Sequence, residues 1–305
     1  MEKAEGDMPA QLVTLDVRDP RLTEIIAPDA RLEPLATGFQ FLEGPVWMPI
    51  QAALVFSDIP GDTMYRWNAA SGVTVFRRPS RKANGNACDR DGRILTCEHA
   101  TSRVVRQELD GRLTVIASHY AGLELNSPND IVVKRDGAIY FTDPNFGRRP
   151  TRYGVPREQQ QPCQGVYRLE PEAGALARVA DDFDQPNGLC FSLDESLLFV
   201  NDSARGHIRV FEITEEGGLR GGKVWAEVHG QGPGVPDGMK FDAAGNLYCA
   251  GPGGIYVFDA HATCLGAIRM PEQAANFCWG GDDLRDLLVC ASTTLYRVRV
   301  QIAGR

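Results

Sequence analysis

Long apolar runs, basic clusters, paired cysteines and helical periodicity are all scarce in this sequence, and each scarcity removes a class of protein. No stretch approaches the roughly 18 apolar residues that a membrane-spanning helix needs. No run of Lys and Arg stands out, and 40 Asp+Glu against 32 Lys+Arg give a net charge of −8. Nucleic acid and anionic membrane surfaces are therefore not expected partners. The start, MEKAEGDMPAQLV, has no apolar core of the kind a signal peptide carries. The eight cysteines form no CxxC pair, which argues against a zinc site or a disulfide framework. Several stand inside apolar runs (ILTC, GLCF, LYCA, LLVC), where a free thiol acts as a small buried hydrophobe. Such thiols suit a reducing compartment, so the cytoplasm is expected, with the periplasm as the alternative if a leader has been trimmed. Helical spacing is confined to a turn or two within residues 19–26.

What is abundant is punctuation. The 305 residues include Gly 32 and Pro 19, with 43% hydrophobic residues to fill a core. Six segments share one pattern, a turn followed by a short β-rich run and a polar end: ALVFSD to Asp58, RILTCE to Glu98, AIYFTD to Asp143, LLFVND to Asp202, NLYCAG to Gly251 and LLVCAS to Ser292. Their ends are spaced by 40, 45, 59, 49 and 41 residues. A second series lies 14 to 16 residues upstream of the first: LEGPVW (Glu43), ANGNAC (Asn84), SPNDIVV (Asn129), QPNGLCF (Asn187), VPDGMKF (Asp237) and AANFCW (Asn276). Repeats of 40–50 residues built from four strands are the mark of a β-propeller. The expected fold is all-β, a six-bladed β-propeller with a central channel, occupying residues 1–305 as one domain. Residues 1–38 form an N-terminal extension with a short helix and a closing strand. Residues 295–300 read as a strand, and residues 12–17 are expected to share its blade and close the ring.

In a blade, the innermost strand and its antiparallel neighbour place their start and end on the same face. Glu43, Asn84, Asn129, Asn187, Asp237 and Asn276 should then ring the axis. Asp58, Glu98, Asp143 and Asp202 should lie one strand farther out, and for Asp143 and Asp202 pairing with backbone N–H groups is the simpler role. Several ring residues precede glycine, and any one alone reads as a turn dipeptide; six in register are harder to explain that way. The set is all oxygen, with no Cys or His, and suits Ca²⁺, Mg²⁺ or Mn²⁺. An open ion of that kind polarises a carbonyl or phosphoryl oxygen while a neighbouring carboxylate takes a proton from water.

These motifs, with ANG…DGRILTCEH, GAIYFTDP and QPNGLCFS, resemble the SMP-30/gluconolactonase/luciferin-regenerating-enzyme family over about residues 20–300, and most closely its bacterial gluconolactonases. The resemblance implies a six-bladed propeller that hydrolyses sugar lactones with one divalent ion, Ca²⁺ first and Mg²⁺, Mn²⁺ or Zn²⁺ as alternatives. It implies Glu43, Asn129, Asn187 and Asp237 as ligands, Asp237 as the base, and Asn84 with Asn129 at the substrate. Asn86 and Asn201 depart from the branch's usual residues and are expected to bear on substrate preference. His99, beside the ring, is expected to donate to a sugar hydroxyl or to orient a neighbour. Residues 144–164 form a candidate lid whose Arg148, Arg149, Arg152 and Tyr153 are placed to reach a substrate. Two rivals share the ring. One is a phosphotriesterase of the diisopropyl-fluorophosphatase type, and the other is a non-catalytic calcium-binding propeller.

Overall fold

The computed structural model describes residues 9–170 and 174–305, and its strands form six antiparallel blade sheets around one axis, with a separate two-stranded hairpin of His119–Tyr120 and Leu123–Glu124. From the axis outward, blade one comprises Leu42–Met48, Ala53–Asp58, Thr63–Asn68 and Gly72–Arg77. Blade two comprises Ala83–Cys88, Ile94–Glu98, Arg103–Gln107 and Leu113–Ala117. Blade three comprises Ile131–Val133, Ile139–Asp143, Gln164–Glu170 and Ala175–Phe183. Blade four comprises Pro186–Phe191, Leu197–Asp202, His207–Ile213 and Leu219–Glu227. Blade five comprises Met239–Phe241, Leu247–Gly251, Gly254–Phe258 and Cys264–Arg269, and blade six begins with Ala274–Gly280, Asp286–Ala291 and Thr294–Arg299. The first strand of each blade packs on the first strand of the next, and blade six returns to blade one. The propeller expected from the two series of motifs is the fold observed.

Closure differs in detail from the expectation. Thr294–Arg299 pairs with Arg31–Thr37, not with residues 12–17. Arg31–Thr37 can bury Leu32 and Ala36 against the sheet, which a fourth strand must do. Residues 12–17 instead divide around buried Val13: Gln11–Leu12 adds a short outer edge to blade six, and Thr14–Val17 covers the outer edge of blade five. The early segment therefore staples two neighbouring blades. The expected helical turn is Leu22–Ile25, with Leu22 and Ile25 buried. Residues 1–8 of the expected N-terminal extension lie outside the described residues.

The apolar core lies between blades, where aromatic rings of adjacent sheets meet edge to face. Tyr248 of blade five and Trp279 of blade six stand 5.1 Å apart, and Tyr140 of blade three and Phe191 of blade four 5.4 Å. Five of the eight cysteines are buried in this apolar filling and all eight are free thiols.

The ring-face ends of the inner strands are tied by polar contacts that step from blade to blade. Ser57 Oγ of blade one donates to Asn84 O of blade two at 2.8 Å, and Thr142 Oγ1 of blade three to Asn187 O of blade four at 2.8 Å. Asn86 Nδ2 reaches Gly44 O at 2.7 Å, and Asn201 Nδ2 donates to Asp237 O. Asn86 and Asn201 thus fasten blades together.

Candidate functional site

The inner strands of blades one, two, four and six shift register at Glu43/Val46, Ala83/Asn86, Pro186/Leu189 and Ala274/Asn276. Each shift falls at a residue predicted for the ring, and such bulges re-aim a side chain at a strand end. The glycines that follow ring residues serve close packing in place of the hairpin turns their dipeptides suggested. A Cβ at Gly44 would collide with the Asn84 carbonyl, and one at Gly188 with the Asp237 carbonyl. The chain reaches Asp237 through the glycine-rich segment 229–238, and Asp237 N–H is held by Ala250 O at 3.1 Å.

All six predicted ring residues are buried at the starts of the inner strands: Glu43, Asn84, Asn129, Asn187, Asp237 and Asn276. Asn276 Nδ2 donates to Glu43 Oε2 at 3.1 Å, which joins the sixth position back to the first. In the outer series Asp143 and Asp202 pair with backbone N–H groups as expected, whereas Glu98 is held by the side chains of Thr101 and Arg103. Asp143 Oδ2 accepts from Asn126 N at 2.8 Å, and the Asp202 carboxylate accepts from the N–H groups of Asp184 and Gln185.

Two charged groups escaped the sequence reading. Asp130, beside Asn129, is buried and turned toward the ring, and Lys240, three residues past Asp237, sends its Nζ to Asn276 Oδ1 at 3.3 Å. Three carboxylates therefore share one desolvated space. Burial, reinforced by Asp130, pushes Glu43 up to about 7 against the opposing Gly44 N–H. Burial, then the charges of Glu43 and Asp130, holds Asp237 well above the ordinary carboxylate range. Asp130 is also raised by burial, and Lys240 works against that rise. A lysine inside the otherwise apolar MKF run was the one available signal for this internal ammonium.

The orientation of two ring amides is fixed from outside. Asn187 Nδ2 donates to Ser203 Oγ at 3.0 Å, because the Ser203 hydroxyl is committed to Pro236 O at 2.6 Å. Asn84 Nδ2 lies 3.1 Å from His99 Nε2. Among the described residues, the Asn84 Oδ1 and Asp130 Oδ2 acceptors are buried without a hydrogen-bond partner. Orphaned acceptors in an acid-rich pocket call for a cation or hydroxyl donors. No three His, Cys, Asp or Glu side chains among the described residues form a metal-binding group. An ion here must take neutral amide oxygens beside its carboxylates, and the donor set of Glu43, Asn129, Asn187 and Asp237 fits a hard divalent cation in that way.

Residues 144–163 lie across the ring face from blade three over blade two to blade one, and Gln164 already belongs to a strand. Tyr153 meets Phe41 edge to face at 5.0 Å, and Arg152 lies over the Phe41 ring at 5.7 Å. Lys82 Nζ donates to Arg152 O at 3.1 Å. Arg152 is exposed at the rim, whereas Arg148 is buried and bonded to Asn126 O, Leu125 O and Glu124. Arg148 therefore anchors this segment, in place of the expected reach to a substrate.

Fold and site together define a six-bladed propeller with an acidic, oxygen-lined ring at one end of its channel, partly covered by an ordered loop. Residues 41–293 match the model of the SMP-30/Gluconolactonase/LRE-like region, and the chain belongs to that family. A gluconolactonase of Zymomonas mobilis is 33% identical to it, over 93% of this chain and 85% of that protein. A solved gluconolactonase of Xanthomonas campestris, described as important in glucose secondary metabolic pathways, superposes with a TM-score of 0.88 at 33% identity, covering 98% of this chain and 99% of that one. A calcium-binding regucalcin from Agrobacterium tumefaciens shares the fold, with a TM-score of 0.73 at 21% identity, covering 88% of this chain and 93% of that one.

Proposed function

We propose that this protein is a gluconolactonase-like hydrolase that opens sugar lactones of the D-glucono-1,5-lactone type to aldonic acids with the help of one divalent ion. The observation that carries the reading is the convergence of Glu43, Asp130 and Asp237 beside the ring amide Asn84, whose buried Oδ1 lacks a donor. Membership of the gluconolactonase family and similarity to two gluconolactonases support the substrate class.

Glu43, Asn129, Asn187 and Asp237 would hold the ion, with Ca²⁺ the first choice. When bound, the ion supplies Lewis acidity at the lactone carbonyl. Asp237 accepts the proton of the water that attacks that carbonyl. The same proton then passes to the ring oxygen as the C–O bond breaks, so the carboxylate is regenerated. Asn84 and Asn129 orient the sugar hydroxyls, and Arg152 and Tyr153 line the entrance over the ring.

The deciding measurement is the metal content of purified protein together with hydrolysis of D-glucono-1,5-lactone before and after chelation. The expected result is about one bound ion, loss of turnover to background on chelation, and recovery with Ca²⁺. A chelated protein that keeps its full rate overturns the metal assignment. Turnover of an organophosphate without turnover of any lactone overturns the substrate class.

A further inference from the structure

His99 is buried, with both ring nitrogens committed. Nδ1 lies 3.0 Å from the backbone oxygen of Tyr153 in the lid, and Nε2 lies 3.1 Å from Asn84 Nδ2 in the ring. The Tyr153 oxygen can only accept, so the proton of a neutral imidazole resides on Nδ1. Nε2 is then a lone pair, and only the NH₂ end of the Asn84 amide can satisfy it. The other end, Oδ1, is the buried acceptor without a partner. Burial also pulls His99 down to about 4, which keeps the imidazole neutral at physiological pH. Its position is closely confined: Arg157 Nη2 donates to His99 O at 3.1 Å, and a side chain at Gly147 would collide with the imidazole.

Blade four repeats the device with different chemistry. Ser203 follows Asp202 as His99 follows Glu98, and its hydroxyl holds the NH₂ end of Asn187. The same position of the fold thus fixes a ring amide in two blades. Only in blade two is the anchor itself anchored by the lid.

We infer that His99 is a positioning residue that, held by the Tyr153 carbonyl, locks the Asn84 amide with its oxygen free to accept from a hydroxyl of a polyhydroxylated lactone. The inference rests on the lactone-hydrolase reading and deepens it. It gives Asn84 a polarity, acceptor and not donor, and it makes the ordered lid part of substrate selection. A site built around an acceptor discriminates against ligands that lack the matching O–H group, because the buried oxygen is then left unpaired.

The test compares two lactones, D-glucono-1,5-lactone and the hydroxyl-free δ-valerolactone, across His99→Leu, His99→Gln, Asn84→Ala and the double variant His99→Leu/Asn84→Ala. Calcium binding by calorimetry and circular dichroism check the folded state of each. His99→Leu should raise KM for the sugar lactone about 10-fold, in keeping with one lost hydrogen bond, while the KM for δ-valerolactone moves less than about 2-fold. His99→Gln, which offers one donor and one acceptor, should restore most of the loss. The double variant should be no worse than Asn84→Ala alone, because His99 acts through Asn84. Equal losses on both lactones, no rescue by Gln, or additive losses in the double variant would overturn the role of His99. A wild-type protein that opens neither lactone overturns the lactonase reading, and this inference with it.

Discussion

The two ends of the central channel are built from the same six inner strands and differ in chemistry. At one end stand Glu43, Asp237 and the ring amides. Three or four residues farther along, a cavity of about 610 Å³ is lined by Val46, Trp47, Cys88, Val132, Cys190 and Phe241, among others. Burial pushes the thiols of Cys88 and Cys278 up to about 12, so they stay protonated and serve as apolar wall. Lys240 borders both regions, lining the cavity while its Nζ reaches Asn276 Oδ1. The difference shows that chemistry in this fold depends on where along the strand a polar residue falls. At the bulged strand ends, the side chains of His99, Ser203 and Asn276 hold the polar ring residues. In mid-strand, the same close packing favours apolar ones.

That contrast can be broken from either end. The largest effect belongs to Asp237→Asn, which keeps the shape of the ring but removes the base. Turnover of D-glucono-1,5-lactone should fall by about 10³-fold with unchanged circular dichroism, and a rate near wild type would refute the assignment. A smaller and opposite effect is expected of Lys240→Met. The ammonium repels any cation at the ring, so its loss should tighten Ca²⁺ binding about 10-fold at pH 8 by calorimetry. Weaker or unchanged binding would mean that Lys240 does not act on the ring. The smallest catalytic effect belongs to the far mouth. Phe241, edge to face with Phe199 at 5.1 Å, should cost about 2 kcal/mol of stability as Phe241→Ala. Lactone turnover per folded molecule should stay within about 2-fold of wild type, and a larger drop would mean the two ends are coupled.

Much of this arrangement was legible in the sequence because the blade repeats its register. An acceptor, an apolar strand, a turn and a second strand recur at nearly fixed offsets, and that alone put six side chains on one face. The closing strand was harder to see. Arg31–Thr37 carries a proline and three charged or hydroxyl residues, whereas residues 12–17 look more strand-like. Which of them enters the blade was decided by burial of Leu32 and Ala36 against Val298 and Leu295 at the far end of the chain, and local propensity does not report that distance. Asp130 and Lys240 were missed for a related reason. Each adjoins or follows a motif residue, and a motif draws attention to its own letters. For His99 the sequence offered two roles, and only the assignment of donors and acceptors separated them; Ser203 gave no signal before its contacts were seen.

Ring closure by an early strand also sets an order of events during synthesis. Thr37 leaves the ribosome 257 residues before Thr294, its partner across the last blade. At roughly 5–20 residues per second, the edge of Arg31–Thr37 that faces Thr294–Arg299 waits on the order of tens of seconds unpaired. During that wait five blades can assemble, but the last sheet cannot. The nascent chain therefore carries an unpaired β-edge for most of its time on the ribosome. A premature stop inside Thr294–Arg299 would leave all six ring residues in the polypeptide and no closed ring to hold them.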